Sequence, residues 1–149
     1  MKLISSIGLV LITASLLSLR AVSDDRELSA EEKAVVAAEL PNYPLKTCVV
    51  SNRPLDVGEG PFDLVVEGHL FRLCCPGCED RARAKAAEIR KTIERAVISK
   101  GRAHWPLKRC PVSGEPYEES EGSPVERVHG TRHGKLCCRY CVRAFEVHR

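Results

Sequence analysis

Eight cysteines carry the chemistry in this 149-residue chain, and they fall into two sets of four. The first set is Cys48, Cys74, Cys75 and Cys78; the second is Cys110, Cys137, Cys138 and Cys141. In each set one cysteine stands alone, and a Cys-Cys-x-x-Cys run follows after 25 or 26 further residues. Thiols can ligate a soft metal ion as thiolates, close disulfides, or enter thiol–disulfide exchange. Three cysteines within five residues are awkward to pair among themselves, because a bridge between neighbours closes a strained ring. They gather readily around one ion, which favours metal binding.

The two sets belong to a longer repeat. "YPLKTCVVS" from Tyr43 returns as "WPLKRCPVS" from Trp105. At an offset of 62, Cys48 meets Cys110, Val50-Ser51 meets Val112-Ser113, Pro54 meets Pro116, Val66 meets Val128 and Gly68 meets Gly130. At an offset of 63, Leu73-Cys74-Cys75 meets Leu136-Cys137-Cys138, and Cys78 meets Cys141. This alignment puts one inserted residue between Gly130 and Leu136. A repeat of this kind is the signature of one module written twice.

The elements that must position the cysteines follow from local pattern. Asn52 and Pro54 signal a turn, so Cys48 belongs on a knuckle-like loop. Apolar and β-branched runs at 62–66 and 69–74, joined at Glu67-Gly68, predict a hairpin. "PVERVHGTRHGKLC" predicts a weaker second hairpin with a longer turn. After Cys78, apolar residues at Ala82, Ala86, Ile89, Ile93 and Val97 predict an amphipathic helix over 79–100, with Gly101 at its end and its mixed charges in solvent. The second copy keeps only the start of that helix, with Phe145 in the phase of Ala82. Tyr43 and Trp105 read as anchors of two small cores. His69 and His133 read as exposed, and His104, His129 and His148 are assigned no role. Ser29 and Glu32 spell a capping box, so 24–41 is a short helix or a disordered leader.

At the N-terminus, Lys2 precedes an uncharged, mostly apolar run over 3–19, and Ala21 and Ser23 follow at the spacing a signal peptidase reads. Residues 1–23 are therefore expected to be a signal peptide that sends the chain to the periplasm or outside the cell. Uncleaved, the same run would anchor it, since about 17 apolar residues is the lower limit for a bilayer span. Without that segment 21 basic residues face 20 acidic ones, a net charge of +1. Nucleic-acid binding needs a basic surplus to neutralise phosphates, so it is excluded as an expectation. The division expected is leader 24–41, first module 42–100 and second module 101–149. Modules this small bury too little apolar surface to fold on their cores alone and need disulfides or a metal.

A loop cysteine, a hairpin, and cysteines where a strand enters a helix form a treble-clef-like layout. The class expected is small α+β, with two tandem modules of this kind. "CVVSNRPL…GHLFRLCCPGC" and "CPVSGEPY…HGKLCCRYC" resemble TRASH and YHS-type domains, small metal-associated modules. The matching residues are Cys48, Cys74 and Cys78, then Cys110, Cys137 and Cys141. The resemblance implies metal binding rather than a reaction. Cys75 and Cys138 raise each module to four thiols. Three thiolates suit Cu(I) and four suit Zn(II), one ion per module, and the sequence leaves both open. The expected partners are that ion and another exported or membrane protein. No Ser-His-Asp set, carboxylate pair or phosphate loop points to an enzyme. The alternatives are a disulfide-stapled interaction module and, behind it, a redox protein using "CPGC".

Overall fold

Ser29 starts the first helix. Its hydroxyl accepts from the Glu32 N–H at 3.2 Å, and the Glu32 carboxylate accepts from the Ser29 N–H at 2.9 Å, so the capping box closes both ways. The helix, α1 (Ala30–Glu39), runs into a 3-10 turn at Leu40–Asn42 containing Pro41. A computed structural model describes residues 27–57, 60–118 and 123–147; the expected signal peptide lies outside them. Among the described residues there are four α-helices and two two-stranded antiparallel sheets, a small α+β fold.

The first hairpin pairs β1 (Phe62–Val66) with β2 (His69–Leu73), Phe62 opposite Leu73 and Val66 opposite His69. The second pairs β3 (Val125–His129) with β4 (Arg132–Leu136), Val125 opposite Leu136 and His129 opposite Arg132. Both turns hold two residues, Glu67-Gly68 and Gly130-Thr131, so the second turn is not the longer one expected. The offset of 63 already applies at Val125, and Val66 corresponds to His129 rather than Val128. The knuckle bridge between Thr47 and Pro54 recurs between Arg109 and Pro116, still at 62. The extra residue therefore falls between Pro116 and Val125, not between Gly130 and Leu136. A paired strand cannot absorb one residue without turning every later side chain to the other face, whereas a connecting loop can.

Beyond β2 the chain makes a 3-10 turn at Pro76–Cys78, then α2 (Glu79–Ala84) and α3 (Ala86–Ala103). The single helix expected over 79–100 is thus two, broken at Lys85, where φ is −115° and ψ 23°. The apolar phase is as read: Ala82, Ile89, Ile93 and Val97 are buried with Tyr43, Leu55, Leu64, Leu70, Phe71 and Leu73 in the first core. The second core is smaller. It joins Cys110, Leu136, Cys137 and Cys141 to Val142 of α4 (Arg139–Val147), with Tyr117, Val125 and Phe145 at its edge.

The small second core is supported from the first half. α3 packs against both β3 and β4, and Val128 lies against the first core. At this seam Gly101 does not end the helix, which continues to Ala103. A Cβ on Gly101 would stand 2.4 Å from Cβ and Cγ of His133, so glycine lets α3 approach β4. His133 is accordingly not exposed: its side chain is 4% accessible. Its Nε2 lies 3.0 Å from Glu126 Oε1, Arg102 donates to the same carboxylate, and Trp105 meets the ring edge-on at 5.3 Å. Trp105 is thus half-buried at the seam, while Tyr43 anchors its core as expected, its hydroxyl accepting from the Arg72 N–H at 3.2 Å.

The leader also has a structural part that its sequence did not suggest. Glu39, at the end of α1, is buried. Its carboxylate accepts from the Leu70 N–H at 2.9 Å and stands 3.6 Å from Nδ1 of half-buried His69. Its backbone carbonyl accepts from the Thr131 hydroxyl at 2.7 Å. Gly130 takes a φ of 57°, and a Cβ there would meet the Glu39 carboxylate at 2.9 Å. One residue therefore ties both hairpins together.

Candidate metal centres

The knuckle that holds the lone cysteine is built twice from the same bonds. The Cys48 N–H donates to the Arg53 carbonyl at 2.7 Å, and the Asn52 N–H donates to the Cys48 carbonyl at 2.9 Å. In the second copy Cys110 donates to Glu115 and Gly114 to Cys110, both at 2.8 Å. Asn52 and Gly114 occupy equivalent places, both at positive φ, 58° and 76°, as residue types that tolerate the left-handed region. This tight turn aims the Val50 and Ser51 N–H groups at Cys48 Sγ, each at 3.5 Å.

Two further cysteines reach each knuckle from the other side. Cys74 follows the end of β2, and Cys78 closes the 3-10 turn ahead of α2; Cys137 follows β4 in the same way, whereas Cys141 lies within the first turn of α4 itself. The sulfurs of Cys48, Cys74 and Cys78 lie within 4.8 Å of one another, as do those of Cys110, Cys137 and Cys141, and all six residues are buried. Cys74 and Cys78 are 3.9 Å apart, Cys137 and Cys141 3.5 Å. Sulfurs bound at about 2.3 Å to one ion stand about 3.8–4.0 Å from each other, so the donor set and spacing fit a thiolate-bound ion. All eight cysteines are free, and each cluster can hold a metal ion.

The fourth cysteine of each module sits at the rim. Cys75 is extended, with φ −166° and ψ 162°, so the helical turn starts after it. Successive extended side chains point to opposite faces, which leaves Cys75 at the edge of the trio rather than inside it. Its sulfur is 3.8 Å from Cys74 Sγ and half-buried. Cys138 is also half-buried, 3.8 Å from the sulfurs of both Cys137 and Cys141.

Polar groups prepare the loop sulfur for ligation. Burial raises the Cys48 thiol, but hydrogen bonds from the Ser51 hydroxyl and from the N–H groups of Ser51, Val50 and Cys74 bring it down to about 6. Cys110 is likewise pushed up by burial and brought down to about 6 by N–H groups of Ser113, Cys137 and Val112 and the Ser113 hydroxyl. Cys78 and Cys141 move the other way, to about 12, through burial and neighbouring sulfurs. Ser51 Oγ also lies 3.2 Å from Cys74 Sγ, and Ser113 Oγ 3.3 Å from Cys137 Sγ. These serines were not singled out as site residues. Their signal was present: the same Val-Ser follows the lone cysteine at the same distance in both copies.

The histidines stand apart from both clusters, His69 at Glu39 and His133 at Glu126. No helix among the described residues is long and apolar enough to cross a membrane. No protein-family model matches the chain, and neither a curated protein nor a solved structure matches it significantly.

Proposed function

We propose that this is an exported binding protein that holds one thiophilic metal ion in each of two treble-clef-like modules. Cys48, Cys74 and Cys78 would bind the first ion, and Cys110, Cys137 and Cys141 the second. The observation that carries the reading is convergence. A loop, a strand end and a helix start bring three buried sulfurs within 4.8 Å of one another, and the chain builds this twice. Three buried thiolates are the donor set of a trigonal Cu(I) site; recruiting Cys75 or Cys138 would give the four-sulfur set of Zn(II). The resemblance of both cysteine patterns to TRASH and YHS-type domains supports the same reading, and the apolar run at 3–19 supports export.

Native mass spectrometry of the reduced protein titrated with Cu(I) or Zn(II) tests it. Two ions are expected for the parent chain and one for Cys48→Ser or Cys110→Ser. Ligand binding drives folding of such modules, with apparent energies of about 10–16 kcal/mol for structural zinc, so each variant should also lose order in its own half. A parent chain isolated ion-free with bridged cysteines, or a Cys48→Ser variant that still binds two ions, would refute the proposal.

A further inference from the structure

This inference rests on the metal-binding reading and assigns the cysteines that the buried trios leave over. In each module three sulfurs are shielded and one is not. Cys48, Cys74 and Cys78 are 2%, 9% and 3% exposed, and Cys110, Cys137 and Cys141 2%, 1% and 7%. Cys75 and Cys138 are the half-buried members, yet each sulfur touches the trio at 3.8 Å. The same arrangement occurs in both modules, although the residues between differ, Pro76-Gly77 in one and Arg139-Tyr140 in the other. A trio closed on its own would be a poor donor, because a thiol from outside could not reach an ion behind three buried sulfurs. A fourth sulfur that touches both the trio and solvent removes that barrier.

We propose that Cys75 and Cys138 are exchange ligands, through which each module passes its ion to, or takes it from, a thiol-bearing acceptor. The cargo moves by ligand substitution. The rim thiolate forms one sulfur–metal bond as one bond to a buried cysteine breaks. The acceptor's thiolate then displaces the remaining cysteines in turn. At each step the proton given up by the entering thiol is taken by the departing thiolate, and the ion keeps its oxidation state throughout. The partner chemistry is thus a thiol donor, presented by a small dithiol or by a cysteine-bearing protein.

The test compares the full chain with Cys75→Ser/Cys138→Ser, each reduced and loaded with two equivalents of Cu(I). The rate of transfer to excess small dithiol chelator is followed by stopped flow, and stoichiometry by native mass spectrometry. The double variant is expected to keep two ions and its melting temperature while transfer slows by roughly tenfold or more. An unchanged rate overturns the proposal, making the rim cysteines bystanders. Loss of an ion overturns it too, making them closing ligands of a four-sulfur site. Failure of the parent chain to bind any ion would instead refute the metal reading beneath it. Brief iodoacetamide treatment of the metal-loaded parent gives a second readout. Cys75 and Cys138 are expected to be alkylated first, and preferential labelling of the trio cysteines would count against the assignment.

Discussion

Gly101→Ala separates helix propensity from tertiary packing at the seam. Inside an exposed helix this change stabilises by about 1 kcal/mol, because glycine loses more backbone entropy on folding. Here the new methyl would stand 2.4 Å from Cβ and Cγ of His133 and 2.5 Å from its Nδ1. The ring has little room to retreat, since its side chain is 4% exposed, hydrogen-bonded to Glu126 and held edge-on by Trp105. Forcing helix and strand apart costs about 1–3 kcal/mol for the overpacking. Turning the ring out would lose the hydrogen bond to Glu126, about 1.5–3 kcal/mol for a charged acceptor, and would leave the Cβ contact in place. Set against the propensity gain, the expected net loss is about 1 kcal/mol, a fall of roughly 2–4 °C in Tm for a chain of this size. Thermal unfolding of metal-loaded protein under reducing conditions measures it. In a His133→Gly background the same change at Gly101 should stabilise by about 1 kcal/mol, because Cβ is removed together with the ring. An increase in Tm for Gly101→Ala in the parent chain would refute the close packing of α3 on β4.

Two other outcomes follow from buried groups. Glu39→Ala leaves the Leu70 N–H buried without its acceptor, so a loss of about 1–3 kcal/mol in denaturant unfolding is expected, with faster hydrogen exchange at Leu70. Unchanged exchange at that amide would count against the bond. Metal affinity should rise with pH, because protons and ions compete for the same sulfurs. Cys78 and Cys141, pushed to about 12 by burial and neighbouring sulfurs, are protonated at neutral pH and must release protons on binding. Cys48 and Cys110, raised by burial but brought to about 6 by knuckle hydrogen bonds, are ionised at neutral pH and protonate only below that value. Calorimetry in buffers of different ionisation enthalpy should therefore find about one more proton released per site at pH ~5 than at pH ~7.5. Equal counts would contradict the depressed loop thiols.

Much of each half was legible because its determinants are local. The Ser29–Glu32 box, the Asn52-Pro54 knuckle, the Glu67-Gly68 turn and the apolar phase from Ala82 to Val97 each act within a few residues. The position of the inserted residue was misread, because Val128 and Gly130 resemble Val66 and Gly68 by type. Strand pairing decides register by what lies opposite, and it sets His129 against Arg132. The role of His133 was misread for a related cause: strand parity says which way a residue faces, not what will cover that face. The covering element is α3, whose approach depends on one missing Cβ at Gly101.

For the sites, the sequence by itself determined the eight thiols, their division into two repeats, and the loop and strand–helix junction that carry them. These follow from residue type and spacing along one chain. Only the tertiary structure decided which three cysteines of each four are buried together and which one is left half-buried at the rim. In the first module that choice turns on where extended backbone gives way to a helical turn, after Cys75 rather than at it, and a shift of one residue there reverses the direction of a side chain. The union of the two halves was likewise decided only in three dimensions, because Glu39 meets Leu70 and Thr131 across 31 and 92 residues of chain. Contacts so distant in sequence leave no periodic trace, and only the folded packing brings them together.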